Sequence, residues 1–121
     1  MNKVVLSGNL TKDMDVEITS NDKIHGIISL ANNVGYGDNQ KTNFIICDIY
    51  GNRVGTLSNY LLKGTKVLIT GQLNVNNVEK EDGWKTYVNV YVEDIEILKF
   101  VEEKESLKQN KTNKTNKYKR K

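Results

Sequence analysis

Proline is absent from the chain, and cysteine and histidine occur once each in its 121 residues. A proline removes one backbone donor from a β ladder, so its absence suits long, uninterrupted strands. The single cysteine, Cys47, excludes an internal disulfide. One cysteine and one histidine also cannot form a histidine-pair or cysteine-cluster metal site. We therefore predict no metal and no cofactor, with Cys47 as a small core residue and His25 as an exposed strand residue.

Long apolar runs and catalytic signatures are missing as well. No stretch approaches the length needed to span a membrane, and the apolar run that follows Lys3 stops at Ser7, too early for a secretory signal. The glycines that flank Tyr36 lack the lysine and helix that follow in a phosphate-binding loop. We expect a cytoplasmic protein without a membrane partner, and a binding protein that is not an enzyme.

Charge is distributed unevenly along the chain. Of the 18 lysines and arginines, 7 lie in residues 106–121, which contain no acid; the other 11 share residues 1–105 with all 15 acids, a net charge of −4 there. A basic segment of this kind indicates contact with a nucleic acid or with another acidic partner. It can also be a solvated tail enriched in lysine by an A/T-rich coding bias. Because residues 101–121 contain few apolar side chains, we predict a disordered tail.

The most informative stretch is residues 43–51, which read with period two as a strand with two different faces. One face is apolar: Ile45, Cys47 and Ile49. The other carries two aromatic rings and one charge: Phe44, Ile46, Asp48 and Tyr50. An aromatic face outside the core is what a nucleic-acid stacking platform needs, since every base has a π-face. The alternative is a strand buried on both sides, with Phe44 and Tyr50 as core aromatics.

The other elements are arranged around this strand in a recognisable order. The patterns predict strands at residues 2–10 (continued at 14–19), 24–32, 43–51, 66–73 and 85–98, and one helix at about 52–63. Asn52 is a candidate helix N-cap, and Gly64 follows its end. Five strands with one helix between the third and fourth are typical of an OB-fold. We predict an all-β fold with one short helix: a five-stranded OB-fold barrel over residues 1–100.

Several segments together resemble bacterial and phage-type single-stranded DNA-binding proteins. The similarity covers roughly residues 1–98. It is carried by MNKVVLSGNLTKD at 1–13, SLA at 29–31, TNF at 42–44, IYG at 49–51, NYLLKGTKVLITGQL at 59–73, DG at 82–83, TYV at 86–88 and DI at 94–95. The first and the longest of these segments are fairly specific in combination.

The resemblance implies a non-enzymatic protein that binds single strands with little sequence preference during replication, recombination or repair. It implies a homo-oligomer, with a tetramer favoured over a dimer. The family's stacking aromatics fall on Tyr36, Phe44 and Tyr50. A fourth, near Val78, is absent, and we expect Trp84 to take its role. Phosphate contacts are expected from nearby cations and from the tail: Lys41, Arg53, Lys85, Lys111, Lys114, Lys117, Lys119 and Arg120.

Two departures from the family leave alternatives open. The basic residues that the family places after Leu73 are replaced by Asn and Val, and the usual acidic, partner-recruiting tip is replaced by Lys117-Tyr118-Lys119-Arg120-Lys121. Replication or recombination proteins are therefore possible partners, but not through that tip. The chain can instead be an OB-fold interaction module, similar to dimeric primosomal proteins, or a general nucleic-acid or RNA binder driven by its tail.

Overall fold

The computed structural model describes residues 1–101. These residues form six strands, one short 3₁₀ turn and one α-helix. In chain order the elements are β1 (Val4–Leu10), β2 (Asp15–Ile18), β3 (Ile24–Val34), the 3₁₀ turn (Gly37–Asn39), β4 (Lys41–Tyr50), α1 (Arg53–Leu57), β5 (Lys66–Lys80) and β6 (Gly83–Lys99). Both predicted tail features, its disorder and its phosphate contacts, concern a segment that lies almost wholly outside the described residues.

Five of the strands close into a ring in the order β1-β5-β6-β4-β3, and β3 returns to β1. Neighbouring strands in the ring run antiparallel, except for β4 and β6, which are parallel and pair from Ile46↔Asn89 to Asp48↔Tyr91. The seam between β1 and β3 has two pairs, Asn9↔Ala31 and Leu10↔Leu30. β2 lies outside the ring on the edge of β3. The predicted five-stranded OB-fold barrel is confirmed.

The barrel interior is filled by the inward side chains of each strand, as the period-two alternation requires. The fully buried apolar side chains come from four elements and the loop after α1: Ile28, Leu30, Cys47, Ile49, Val54, Leu61, Val67 and Ile69. Cys47 and Ile49 are among them, which confirms the predicted inward face of β4. Burial raises the pKa of Cys47 to about 12, with a smaller contribution from the nearby Asp48 carboxylate. The thiol is therefore a packing group.

The helix is shorter than the sequence pattern predicts. It spans Arg53–Leu57, and Asn52 makes no side-chain capping bond. Gly55 in its interior disfavours helix, which is consistent with a single turn. After it, the amides of Tyr60 and Leu61 still bond to the carbonyl of Leu57, so the chain coils onward without a regular helix. The prediction of a helix to residue 63 was wrong, although Val54 and Leu61 do face the core.

The last two strands are longer than predicted and extend beyond the ring as a two-stranded ribbon, residues 74–89. Their pairing continues from Asn74↔Asn89 to Lys80↔Gly83. The asparagines of this segment have a low intrinsic preference for β-strand. Here they bond across the ribbon: Asn74 to Asn89 at 3.0 Å, and Thr86 to Asn77 at 2.8 Å. Cross-strand amide and hydroxyl bonds thus extend the ribbon where the apolar pattern stops.

One glycine marks the place where the barrel closes. A Cβ at Gly8 would lie 2.5 Å from the carbonyl oxygen of Ala31, so only glycine lets β1 approach β3 this closely. A side chain at position 8 would therefore disrupt the seam between β1 and β3.

Candidate nucleic-acid interface

The outward face of β4 carries a row of four side chains on the barrel wall, three of which are exposed. We call this the β4 row: Phe44, Ile46, Asp48 and Tyr50. Phe44 is 72% exposed and Tyr50 is 51% exposed, so neither ring is part of the core. The two rings are six residues apart, or about 20 Å along a strand. The alternative of a strand buried on both sides is therefore excluded, and the row presents two aromatic surfaces to solvent.

Tyr36 extends this aromatic surface into the loop between β3 and β4. Its carbonyl accepts a bond from the amide of Asn39 at 2.8 Å, which closes the 3₁₀ turn. Its ring is 90% exposed. β3 and β4 pair through Ala31↔Phe44 and end at Val34↔Lys41, so Tyr36 lies beyond the Phe44 end of the row.

The middle of the β4 row is polar and nearly closed to solvent. Asp48 is buried, and its two oxygens have different partners. One lies 2.7 Å from Nε2 of His25, on β3. The other accepts a hydrogen bond from the side-chain Nδ2 of Asn89, on β6. The side-chain Oδ1 of Asn89 in turn accepts a hydrogen bond from Nδ2 of Asn74, on β5. A single hydrogen-bonded chain of side chains therefore crosses four adjacent strands of the barrel.

His25 was predicted to be exposed, and this prediction was wrong. Its side chain is 14% exposed because the imidazole lies between Asp48 and the Tyr50 ring. Its ring is parallel to that of Tyr50, with centroids 4.4 Å apart and an angle of 3° between the planes. Tyr91 meets Tyr50 edge-on at 6.3 Å. The sequence signal for this buried contact was the charge of Asp48 among the apolar and aromatic residues 44–50.

Burial around the row also affects the Tyr50 hydroxyl. Desolvation raises its pKa above the usual 10, and the neighbouring carboxylate of Asp48 raises it further. Tyr50 is therefore neutral at physiological pH. A neutral, partly covered ring beside one carboxylate is suited to stacking on a flat apolar surface such as a base.

The predicted cations are not equally available to a ligand. Lys41 and Lys85 are exposed. Arg53 is partly buried, and its guanidinium donates to the carbonyls of Val92 at 2.8 Å and Glu93 at 2.9 Å. The structure thus gives Arg53 a role in fastening α1 to β6, and its phosphate contact remains a prediction.

Trp84 lies at the tip of the ribbon and is 70% exposed. By strand alternation it shares a face with Thr86 and Val88, whereas Lys85 shares the other face with Tyr87 and Asn89. Val78 pairs with Lys85, so Trp84 is on the opposite face from the position it was expected to replace. The structure brings Phe44 and Tyr50 into one row, with Tyr36 beyond its end, and does not bring Trp84 to it.

A shallow pocket of about 310 Å³ lies at the ribbon tip, between Lys80, Trp84 and Tyr87. The ammonium of Lys80 is 5.9 Å from the centre of the Tyr87 ring. Within residues 1–101, no cluster of three or more His, Cys, Asp or Glu side chains is arranged to hold a metal ion. In the same part of the chain, no helix is long and apolar enough to cross a membrane.

Comparison with known proteins agrees with this fold. Residues 1–98 match the model of the single-strand binding protein family. Curated relatives include the single-stranded DNA-binding protein of Bacillus cereus, 35% identical over 102 residues, and single-stranded DNA-binding protein 1 of Streptococcus pyogenes, 36% identical over 102 residues. Each alignment covers 81% of this chain; it covers 60% of the Bacillus protein and 78% of the Streptococcus protein. The chain belongs to the single-strand binding protein family.

Proposed function

We propose that this protein binds single-stranded DNA with little sequence preference and protects it during replication, recombination or repair. Bases stack on Phe44, Tyr50 and Tyr36, and Lys41 and Lys85 meet phosphates. Stacking is tolerant of sequence because every base offers a π-face. The observation that carries the proposal is the β4 row: two large rings held outward on a rigid barrel wall, where burial does not account for them.

The proposal also covers the oligomeric state and the cellular location of the protein. We propose a homo-oligomer, with a tetramer favoured, acting in the cytoplasm as a binding protein and not as an enzyme. Val5, on β1, is exposed. Within residues 1–101, β1 from Val4 to Ser7 has β5 on one side and no strand on the other. An open edge with an exposed apolar side chain is a place where another chain can pair.

The decisive experiment compares the affinity of the full chain for oligo(dT), for an RNA of equal length and for duplex DNA, using labelled strands and fluorescence anisotropy over a range of salt. We expect tight, strand-selective binding to oligo(dT). Phe44→Ala should weaken it by about 1–3 kcal/mol, the usual effect of losing one stacking ring. Phe100→Ala is the matched control, since Phe100 is also an exposed phenylalanine but follows β6 at its far end, against Tyr60.

Other results would favour the other two functions. Weak oligo(dT) binding that is unaffected by Phe44→Ala would point to a protein-interaction module. Equal, steeply salt-dependent binding to all three nucleic acids, abolished by deleting residues 106–121, would show that the tail is the binding element.

We propose that the tail contacts phosphates in addition to the stacking of bases on the barrel. Its deletion should therefore flatten the salt dependence of oligo(dT) affinity and leave the effect of Phe44→Ala on that affinity unchanged. Quenching of Trp84 on binding would place the ribbon tip beside the bound strand.

A further inference from the structure

The Tyr50 ring has one face already occupied. The His25 imidazole lies against it at 4.4 Å and almost parallel, which is the geometry of a stacked pair. Tyr91, on β6, lies 6.3 Å from the Tyr50 ring with an angle of 65° between the planes. A base that stacks on Tyr50 must therefore use a part of the ring that His25 does not cover.

The imidazole is held in place by groups from the neighbouring strands. Because the Asp48 carboxylate only accepts hydrogen bonds, Nε2 of His25 is the donor in their 2.7 Å contact. Nδ1 lies 3.6 Å from a carboxylate oxygen of Glu17, on β2. Asp48 is itself held by Asn89, and Asn89 by Asn74 at 3.0 Å. The orientation of His25 is thus set through side chains from β2, β4, β6 and β5.

We propose that His25 is a positioning residue for single-strand binding, acting through Tyr50. This inference rests on the proposed function, because it assigns a role within the same stacking site. A half-exposed tyrosine that rotates freely must be immobilised when a base stacks on it, and this ordering costs affinity. The fixed imidazole holds the ring in one orientation before DNA arrives. Losing it should weaken binding roughly 2- to 10-fold, the range expected for one side chain that must be ordered.

A double-mutant cycle tests whether His25 acts through Tyr50. The affinity of the full chain for oligo(dT) is measured for the wild type, His25→Gln, Tyr50→Ala and the double variant. Glutamine keeps an N–H donor for Asp48 but removes the flat ring. We expect His25→Gln to weaken binding roughly 2- to 10-fold when Tyr50 is present. It should have no effect when Tyr50 is absent. Equal losses in both backgrounds would overturn the proposal.

A rescue variant separates positioning from general structural support. In the Asp48→Asn background the buried carboxylate is removed, so phenylalanine at position 25 restores a flat ring without leaving a charge unpaired. His25→Phe in that background should bind oligo(dT) about as tightly as Asp48→Asn alone, whereas His25→Gln there should bind more weakly. Thermal unfolding of each variant confirms that it is folded at the assay temperature. If His25→Gln alone proves unfolded, the comparison in the Asp48→Asn background decides.

The failures of the inference and of the proposed function are distinguishable. If Tyr50→Ala leaves oligo(dT) binding unchanged, Tyr50 is not a stacking residue and both ideas fail at this position. If Tyr50→Ala weakens binding but His25→Gln does not, the stacking function stands and the positioning role of His25 is refuted. Failure of the phenylalanine to rescue would likewise refute it.

Discussion

The two faces of β4 have similar numbers of large apolar side chains and opposite environments. Inside, Cys47 and Ile49 are sealed from water. Outside, Phe44, Ile46 and Tyr50 are all exposed. Burial accounts for the inner set, because each buried aliphatic side chain contributes on the order of 1.5–3 kcal/mol to folding. Burial does not account for the exposed side chains of the outer face. Because the fold does not need these rings to be outside, the outer face is the one that indicates function.

This contrast is sharpest between two isoleucines of the same strand. Ile49→Ala empties a fully buried site and should destabilise the protein by about 2–5 kcal/mol. Ile46→Ala is the matched control, since it removes the same atoms from an exposed position, and should cost less than about 1 kcal/mol. Urea unfolding followed by circular dichroism measures both. Similar losses at the two positions would mean that the outer face also packs, against another chain in an oligomer.

A chemical probe tests the seal of the inner face. With its pKa raised to about 12, the Cys47 thiol is almost entirely un-ionised at pH 8. A free cysteine, with a pKa near 8.5, has a substantial thiolate fraction there. Native protein should therefore react with iodoacetamide on the order of a thousandfold more slowly than unfolded protein, and the rate should rise with pH. Rapid labelling of the native protein at pH 8 would contradict complete burial.

The smallest expected effect is on the outer face. Phe44→Ala should leave the free energy of unfolding within about 0.5 kcal/mol of wild type, because the ring is mostly exposed. Of the variants in this comparison of the two faces, Phe44→Ala is expected to show the largest loss of affinity for single-stranded DNA. Urea unfolding of the variant without DNA measures the stability, and a loss of 2 kcal/mol or more would show that the ring supports the fold.

Much of this comparison can be read from the sequence, because alternation along a single strand is a local property. Residues 44–50 alternate cleanly, so both faces of β4 were predictable without knowing which strands flank it. The order of the strands around the barrel was also predictable, because five strands and one helix in this sequence order are typical of the OB-fold.

What the sequence did not reveal depends on pairing between distant residues. The contact between His25 and Asp48 requires the register that places His25 opposite Tyr50 and Ile27 opposite Asp48. Nothing local to either residue specifies that register. The ribbon was missed for a similar reason: Asn74 and Asn77 disfavour strand singly and are stabilised only by partners that arrive with β6. The position of Trp84 on the other ribbon face follows from the same pairing.

The parallel contact between β4 and β6 has a consequence for how the molecule is made. β6 is the last strand of the barrel, and it lies next to β4 only after α1 and the whole of β5 have been synthesised. Until then the inner face of β4 has no closed interior to enter, and a nascent chain ending before β6 leaves Cys47 and Ile49 uncovered. Closure of the ring is thus a late, non-local step, and such steps slow folding. Until the last strand is made, the apolar inner face of β4 is a surface on which incomplete chains can aggregate.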